Sequence, residues 1–256
     1  MALFALIFAL AAESGTARAD TAAESDFKIW YERAIRGQTA SADAIASDAP
    51  VKIYKWYSPL KIVALLDDDA TNHGAELRSY LKGYLNTIIE TTNMTAAITQ
   101  PNAEVAPNVM IMVGSSVRDA VQRHEDEINA MMGDGGKEVR KLLADAQSSE
   151  INCQYSLRTK DDLEITKAVL VVPVAEDIFA TQKCLGRLMF NTMGMLGKRI
   201  DGESVLNRAD AAISPTDDDR RALRIHYINQ IQDGDAPSAI ISVIRKAIDQ
   251  GIFGQN

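Results

Sequence analysis

Two cysteines, Cys153 and Cys184, are all that this chain of 256 residues contains, and what becomes of them limits what it can fold into. Joined to each other, they close a loop of about 30 residues, worth roughly 3–4 kcal/mol if the effect is mainly on the unfolded chain. They also tie a strand-like segment, 152–159, to the head of the stretch TQKCLGRLMFNTMGML at 181–196. The alternative is a pair of free or metal-binding thiols. A metal site of that kind calls for a nearby histidine or a CxxC spacing, and neither is present.

The compartment in which a disulfide would form is indicated by the first residues, MALFALIFALAAESGTARAD. Residues 2–12 are an apolar run of about eleven, shorter than a bilayer span requires. Ala17-Arg18-Ala19 has the small-x-small form of a cleavage site, although no Lys or Arg precedes the apolar run. The reading is a signal peptide over 1–19 and a protein that is periplasmic or secreted. Oxidising compartments are where a disulfide persists. No later run reaches the length of a membrane span, so none is expected in the mature chain.

A net charge of −8 argues against nucleic acid as a partner, because releasing counterions needs clustered Lys and Arg. The longest charge runs are acidic, at 67–69 and 217–219, and read as solvated faces or helix starts. The hydrophobic content of 46% is ordinary for a chain that buries a core.

Residues 24–36 suggest a short amphipathic helix, and 38–50, small and polar, a linker. Together 20–50 is predicted as an N-terminal arm and linker, and 51–256 as a single α/β domain. Within it 51–57 alternates like a strand and 61–66 is a second strand or its continuation. Leu77, Leu81, Tyr84, Leu85, Ile88 and Ile89 recur at helical spacing, giving a helix over 74–90. Short strands are read at 94–99 and 108–113. A helix follows with Ser116 as N-cap and Asp119 three residues on. The run 132–136 breaks that helix, and 137–147 starts another. Residues 152–159 and 164–174 read as paired strands, with Pro173 marking a strand end or an edge. In the helix 181–196, Leu185, Leu188, Met189, Thr192, Met195 and Leu196 share a face, with Cys184 above Leu188. Thr216 caps a helix that opens on three acids, which suit its dipole. A last helix covers 236–250. The fold class predicted is α/β of the α+β type, a small mixed or mostly antiparallel sheet against several helices.

The residues that carry chemistry are few. His73, His124 and His226 are spread so that no HExxH forms, and there is no GxSxG elbow, GxGxxG or P-loop. His124 with Glu127 is a His–acid pair at helical spacing that could hold a metal weakly, on a strongly charged stretch read as solvated. Gly114-Ser115-Ser116 follows a buried strand, but N-capping accounts for it. No catalytic residue, metal ligand or cofactor is predicted.

From Cys153 to Tyr227 the features run in a distinctive order: strand cysteine, apolar strand, cysteine-headed helix, the step SVLN, then D-x-x-ALR-x-HY. The chain resembles the domain of unknown function 2927 family of exported Gram-negative envelope proteins. The resemblance spans about 151–235, and the matching residues are Cys153, Cys184, Ser204, Val205, Asn207, Asp219, Leu223, Arg224 and Tyr227. In the family, acids follow the helix cysteine; here Gly186 and Arg187 stand instead. The resemblance implies a zincin-like shell without the zinc motif, since the equivalent helix offers only Cys184, Arg187 and Asn191. It brings no established activity. The function expected is a non-enzymatic binding or scaffold domain whose partner is a protein or a cell-envelope ligand; the alternative is a divergent hydrolase of metallopeptidase type. The polar residues predicted as a ligand site are Arg187, Asn191, Asn207, Arg224 and Tyr227, with loop-closing hydrogen bonds as the competing role.

Overall fold

Eight helices and five strands account for residues 20–36, 48–100, 106–148, 153–160, 163–197, 202–207 and 210–252, which are the residues the computed structural model describes. In chain order they are α1 (20–34), β1 (Leu60–Leu66), α2 (Gly74–Thr92), β2 (Ala96–Thr99), β3 (Val109–Gly114), α3 (Val117–Arg123), α4 (Glu125–Met132), α5 (Lys137–Ser148), β4 (Gln154–Thr159), β5 (Ile165–Pro173), α6 (Ile178–Thr192), α7 (Asp217–His226) and α8 (Pro237–Asp249). The expected signal peptide, 1–19, lies outside the described residues.

The strands form one sheet in the order β2-β1-β3-β5-β4. β1 pairs in parallel with both β2 and β3, β3 pairs in parallel with β5, and only β4 runs antiparallel, along β5. The sheet is therefore mixed, the first of the two arrangements expected, and mainly parallel. The reason lies in β3 and β5. Their runs VMIMV and AVLVV are apolar on both faces, as strands covered above and below must be. Val109, Ile111 and Val113 enter one core, with Ala168, Leu170 and Val172. Met110 and Met112 enter the other, with Val169 and Val171.

The larger core lies between the sheet and α1, α2, α6, α7 and α8; the smaller lies under α3, α4 and α5. Each fully buried Leu, Ile or Phe contributes about 1.5–3 kcal/mol relative to leaving it in water. β1 is followed by α2 on one face and β3 by α3 on the other. The chain thus changes face between β1 and β3, the place where open α/β sheets leave a crevice at the carboxyl ends of their strands.

The amphipathic pattern of 24–36 becomes α1, but α1 is built into the larger core and does not stand off as an arm. Trp30, Ala34 and Ile35 are almost wholly buried, and the linker 37–47 lies outside the described residues. The alternation of 51–57 is real burial, with Val51, Ile53 and Lys55 inside, yet no strand forms there. The segment crosses between loops. Val51 exchanges backbone hydrogen bonds with Asp235 and Gly234, Ile53 N–H donates to Asp233, and only Lys55 makes a bridge, to Glu164. Ser116 caps α3 by accepting from Asp119 N–H. Thr216 and Asp219 form a reciprocal capping box at the start of α7.

Candidate functional site

Cys153 and Cys184 are joined by a disulfide, with Cα atoms 6.1 Å apart, and no cysteine is free. The bond links the entry to β4 with the first turns of α6, so it sets the distance between the sheet's edge and that helix. A cleft of about 520 Å3 opens beside it. Its floor is β4 itself, from Cys153 through Leu157. One wall is α6, with Arg187, Leu188 and Asn191; the other is α5, with Lys141 and Asp145.

The two walls differ in chemistry because a strand alternates its side chains. Cys153, Tyr155 and Leu157 pack on the side of the larger core, toward α6. Ser156 points the other way, and its hydroxyl donates to Glu138 of α5. The cleft is thus polar along α5 and mixed along α6, where Leu188 stands between Arg187 and Asn191. Its size falls within the range of small-ligand pockets.

Of the five residues predicted as a ligand site, Arg187 and Asn191 line this cleft. Asn191 also closes the end of α6, where its amide nitrogen donates to Met195 O at 2.8 Å. Asn207, Arg224 and Tyr227 are not among the lining residues. Asn207 holds the turn around it, donating to Gly202 O and accepting from Asp210 N–H. Tyr227 donates its hydroxyl proton to Met193 O at 3.2 Å and accepts from Trp56 N–H; burial raises its pKa. Arg224 is half-buried on α7.

Three residues singled out in the sequence, Ser204, Val205 and Asp219, form one buried cluster. Asp219 is wholly buried. Its Oδ1 accepts from Arg33 Nε at 2.8 Å and from Ser204 Oγ at 2.6 Å, and its Oδ2 accepts from the backbone N–H groups of Val205 and Thr216. Ser204, Val205 and Asp219, read separately in the sequence, meet at one carboxylate. Steric crowding accounts for a glycine at position 186. A Cβ at that position would lie 2.5 Å from Tyr80 Oη and 3.0 Å from the Tyr84 ring, because α2 passes directly over it.

His226 forms a second buried centre. Trp30 Nε1–H donates to its Nδ1 at 3.2 Å, and its Nε2 lies 2.8 Å from Tyr54 O. An indole can only donate, so Nδ1 is the bare nitrogen and Nε2 carries the proton. Burial, aided by the nearby Lys55 charge, pushes the pKa down to about 3. Lys55 is buried too, its ammonium bonded to the carbonyls of Ile228 and Ile231, and burial pushes its pKa down to about 8.

The crevice between β1 and β3 holds a cluster that was read as solvated in the sequence. Asp67, first of the acidic run, is buried at the end of β1. Its Oδ1 lies 3.1 Å from both Arg123 Nη1 and His124 Nε2, while Oδ2 and His124 Nδ1 have no hydrogen-bond partner among the described residues; His124 Nδ1 lies 3.7 Å from Glu127 Oε1. Gly114 makes the room, since a Cβ there would fall 2.4 Å from Asp67 Oδ2. The signal was available: an acid directly after an apolar strand is placed at the sheet's carboxyl edge. Among the described residues no three His, Cys, Asp or Glu side chains group to hold a metal ion, and no helix is long and apolar enough to cross a membrane.

No family model matches the chain, and neither a curated protein nor a solved structure is found to be similar to it.

Proposed function

We propose that this chain is an exported, disulfide-bonded binding protein of the Gram-negative envelope, without catalytic activity of its own, and that it takes its ligand in the cleft between β4, α5 and α6. The observation that carries this reading is the disulfide's position. It fixes the helix that forms one wall of the cleft against the strand that forms its floor, which holds a binding surface ready before the ligand arrives. The apolar stretch at 2–12 supports export. The proposed kinship with the domain of unknown function 2927 family rests on the order of Cys153, Cys184, Ser204, Val205, Asn207 and Asp219 in the sequence.

The test is substitution at the walls. Arg187→Ala and Lys141→Ala are expected to weaken ligand binding while leaving the melting temperature within about 2 °C, as exposed or half-exposed polar changes usually do. A loss of stability with unchanged binding would assign these residues to the scaffold and remove the cleft from consideration.

A second reading, a divergent hydrolase, draws on Asp67 and His124. A buried carboxylate that orients an imidazole at the carboxyl end of a parallel strand is an arrangement suited to proton transfer. Hydrolytic activity of the purified protein that His124→Ala abolishes would favour it, and a chelator-sensitive, stoichiometric zinc would give it the metallopeptidase form.

A further inference from the structure

A second cavity, again of about 520 Å3, opens between α2, α6 and the approach to α7. Glu76, Ser79, Gly83 and Thr87 border it from α2, at the three- and four-residue spacing of one helix face. Gly83 is the informative one. A glycine inside a helix is unfavourable relative to alanine. Crowding explains Gly186, but a Cβ at Gly83 would meet nothing within 4 Å. The helix gains no closer packing from this glycine, and what the missing side chain leaves is room in the cavity. Tyr84 borders the same space, and its hydroxyl is buried with no hydrogen-bond partner among the described residues.

Two groups of opposite charge, Glu76 and Arg220, also border it. Gln182 of α6 is buried, and its amide nitrogen donates to Glu76 Oε1 at 3.3 Å, which orients that carboxylate. Arg220 of α7 donates from Nη1 to Pro215 O and from Nη2 to Asp217 Oδ1. A guanidinium carries five N–H donors, so a head held by two of them keeps others for an anion. Tyr80 and Pro215 add apolar surface.

We infer that this cavity is a binding site separate from the cleft beside β4, and that it takes a small zwitterion of the amino-acid or dipeptide class. The ligand's ammonium meets Glu76, its carboxylate meets Arg220, and its body takes the space over Gly83. Each end is held by charge-assisted hydrogen bonds, and the planar guanidinium fork matches a carboxylate. A ligand with one charge satisfies only one of the two groups, so both charges are needed. The volume lies within the range of small-ligand pockets.

The experiment is calorimetric titration of the full, oxidised chain with alanine, leucine and dialanine, beside the same compounds acetylated at the amine or amidated at the carboxylate. At least one free compound is expected to bind, and blocking either end is expected to cut its affinity by about tenfold or more. Glu76→Gln should make the chain indifferent to acetylation, and Arg220→Gln should make it indifferent to amidation. Gly83→Leu is expected to abolish binding without lowering the melting temperature, because leucine suits a helix and fills the space. The blocked compounds test the same claim on the unaltered chain. Equal binding of free and blocked compounds overturns the inference, as does undiminished binding by Gly83→Leu. No binding by any free compound at millimolar concentration also overturns it, and leaves the function proposed for the cleft beside β4 standing. Binding that Arg187→Ala removes and Gly83→Leu spares would place the zwitterion in that cleft, which sinks this site and supports the other.

Discussion

Arg33 Nε donates to Asp219 Oδ1 at 2.8 Å across 186 residues of sequence, and both side chains are buried. The pair joins α1 to the first turn of α7. Asp219 accepts three further hydrogen bonds, from Ser204 Oγ and two backbone N–H groups. Breaking such a pair from one side leaves an uncompensated buried charge, which costs about 3–5 kcal/mol. Asp219→Ala is expected to lower the unfolding free energy by that amount in urea titration. Replacing both partners, as Arg33→Met with Asp219→Leu, is expected to lose less than the sum of the single losses.

His226 gives the protein a defined acid response. Its folded pKa is pushed down to about 3 from an ordinary value of 6.5. Between those two values the unfolded chain binds a proton that the folded chain refuses. Stability from this residue is therefore complete above pH 6.5 and falls as the pH drops toward 3, by up to about 1.4 kcal/mol per pH unit. The pH dependence of unfolding should be shallower in His226→Gln than in the wild type over this window. Parallel curves would remove His226 as the sensitive group.

The disulfide spans a sequence separation of 31. Loop closure of that length is worth roughly 3–4 kcal/mol. Cys153→Ala combined with Cys184→Ala is expected to lose about that much in chemical denaturation. The wild type under a reducing agent should approach the double variant.

Gly194 has φ +84°, and a Cβ there would lie 1.8 Å from Tyr54 O and 2.7 Å from His226 Nε2. Gly194→Ala is thus both strained and obstructed, at the point where His226 donates to Tyr54. A loss of several kcal/mol is expected. Gly83→Ala, at a helix position where nothing lies within 4 Å, is expected to raise the melting temperature instead. Calorimetry on the two variants checks both signs.

Local patterns made much of the fold legible. The helical spacing of Leu77 through Ile89 and the capping signals at Ser116 and Thr216 each correspond to an observed element or cap. Strand direction was not legible, since the apolar run of β5 reads the same beside a parallel or an antiparallel neighbour. The segment 51–57 shows why alternation alone misleads. Its inward side chains are fixed by loops and by Trp56 Nε1–H donating to Thr192 O, not by a ladder. Asp67 was hidden for another reason. Its partners Arg123 and His124 lie more than fifty residues away, so its place directly after an apolar strand puts it at the sheet's edge without saying what it meets there. Of the site, Arg187 and Asn191 were within reach because they lie four apart on a helix headed by a cysteine. The opposite wall, with Lys141 and Asp145, depends on how α5 crosses the edge of the sheet.

The docking of α1 has a consequence for the order in which the chain can assemble. Trp30 and Arg33 take His226 and Asp219 as partners, so the larger core is complete only with α7 in place. A core that α1 and α7 close together cannot be completed by either half of the polypeptide alone.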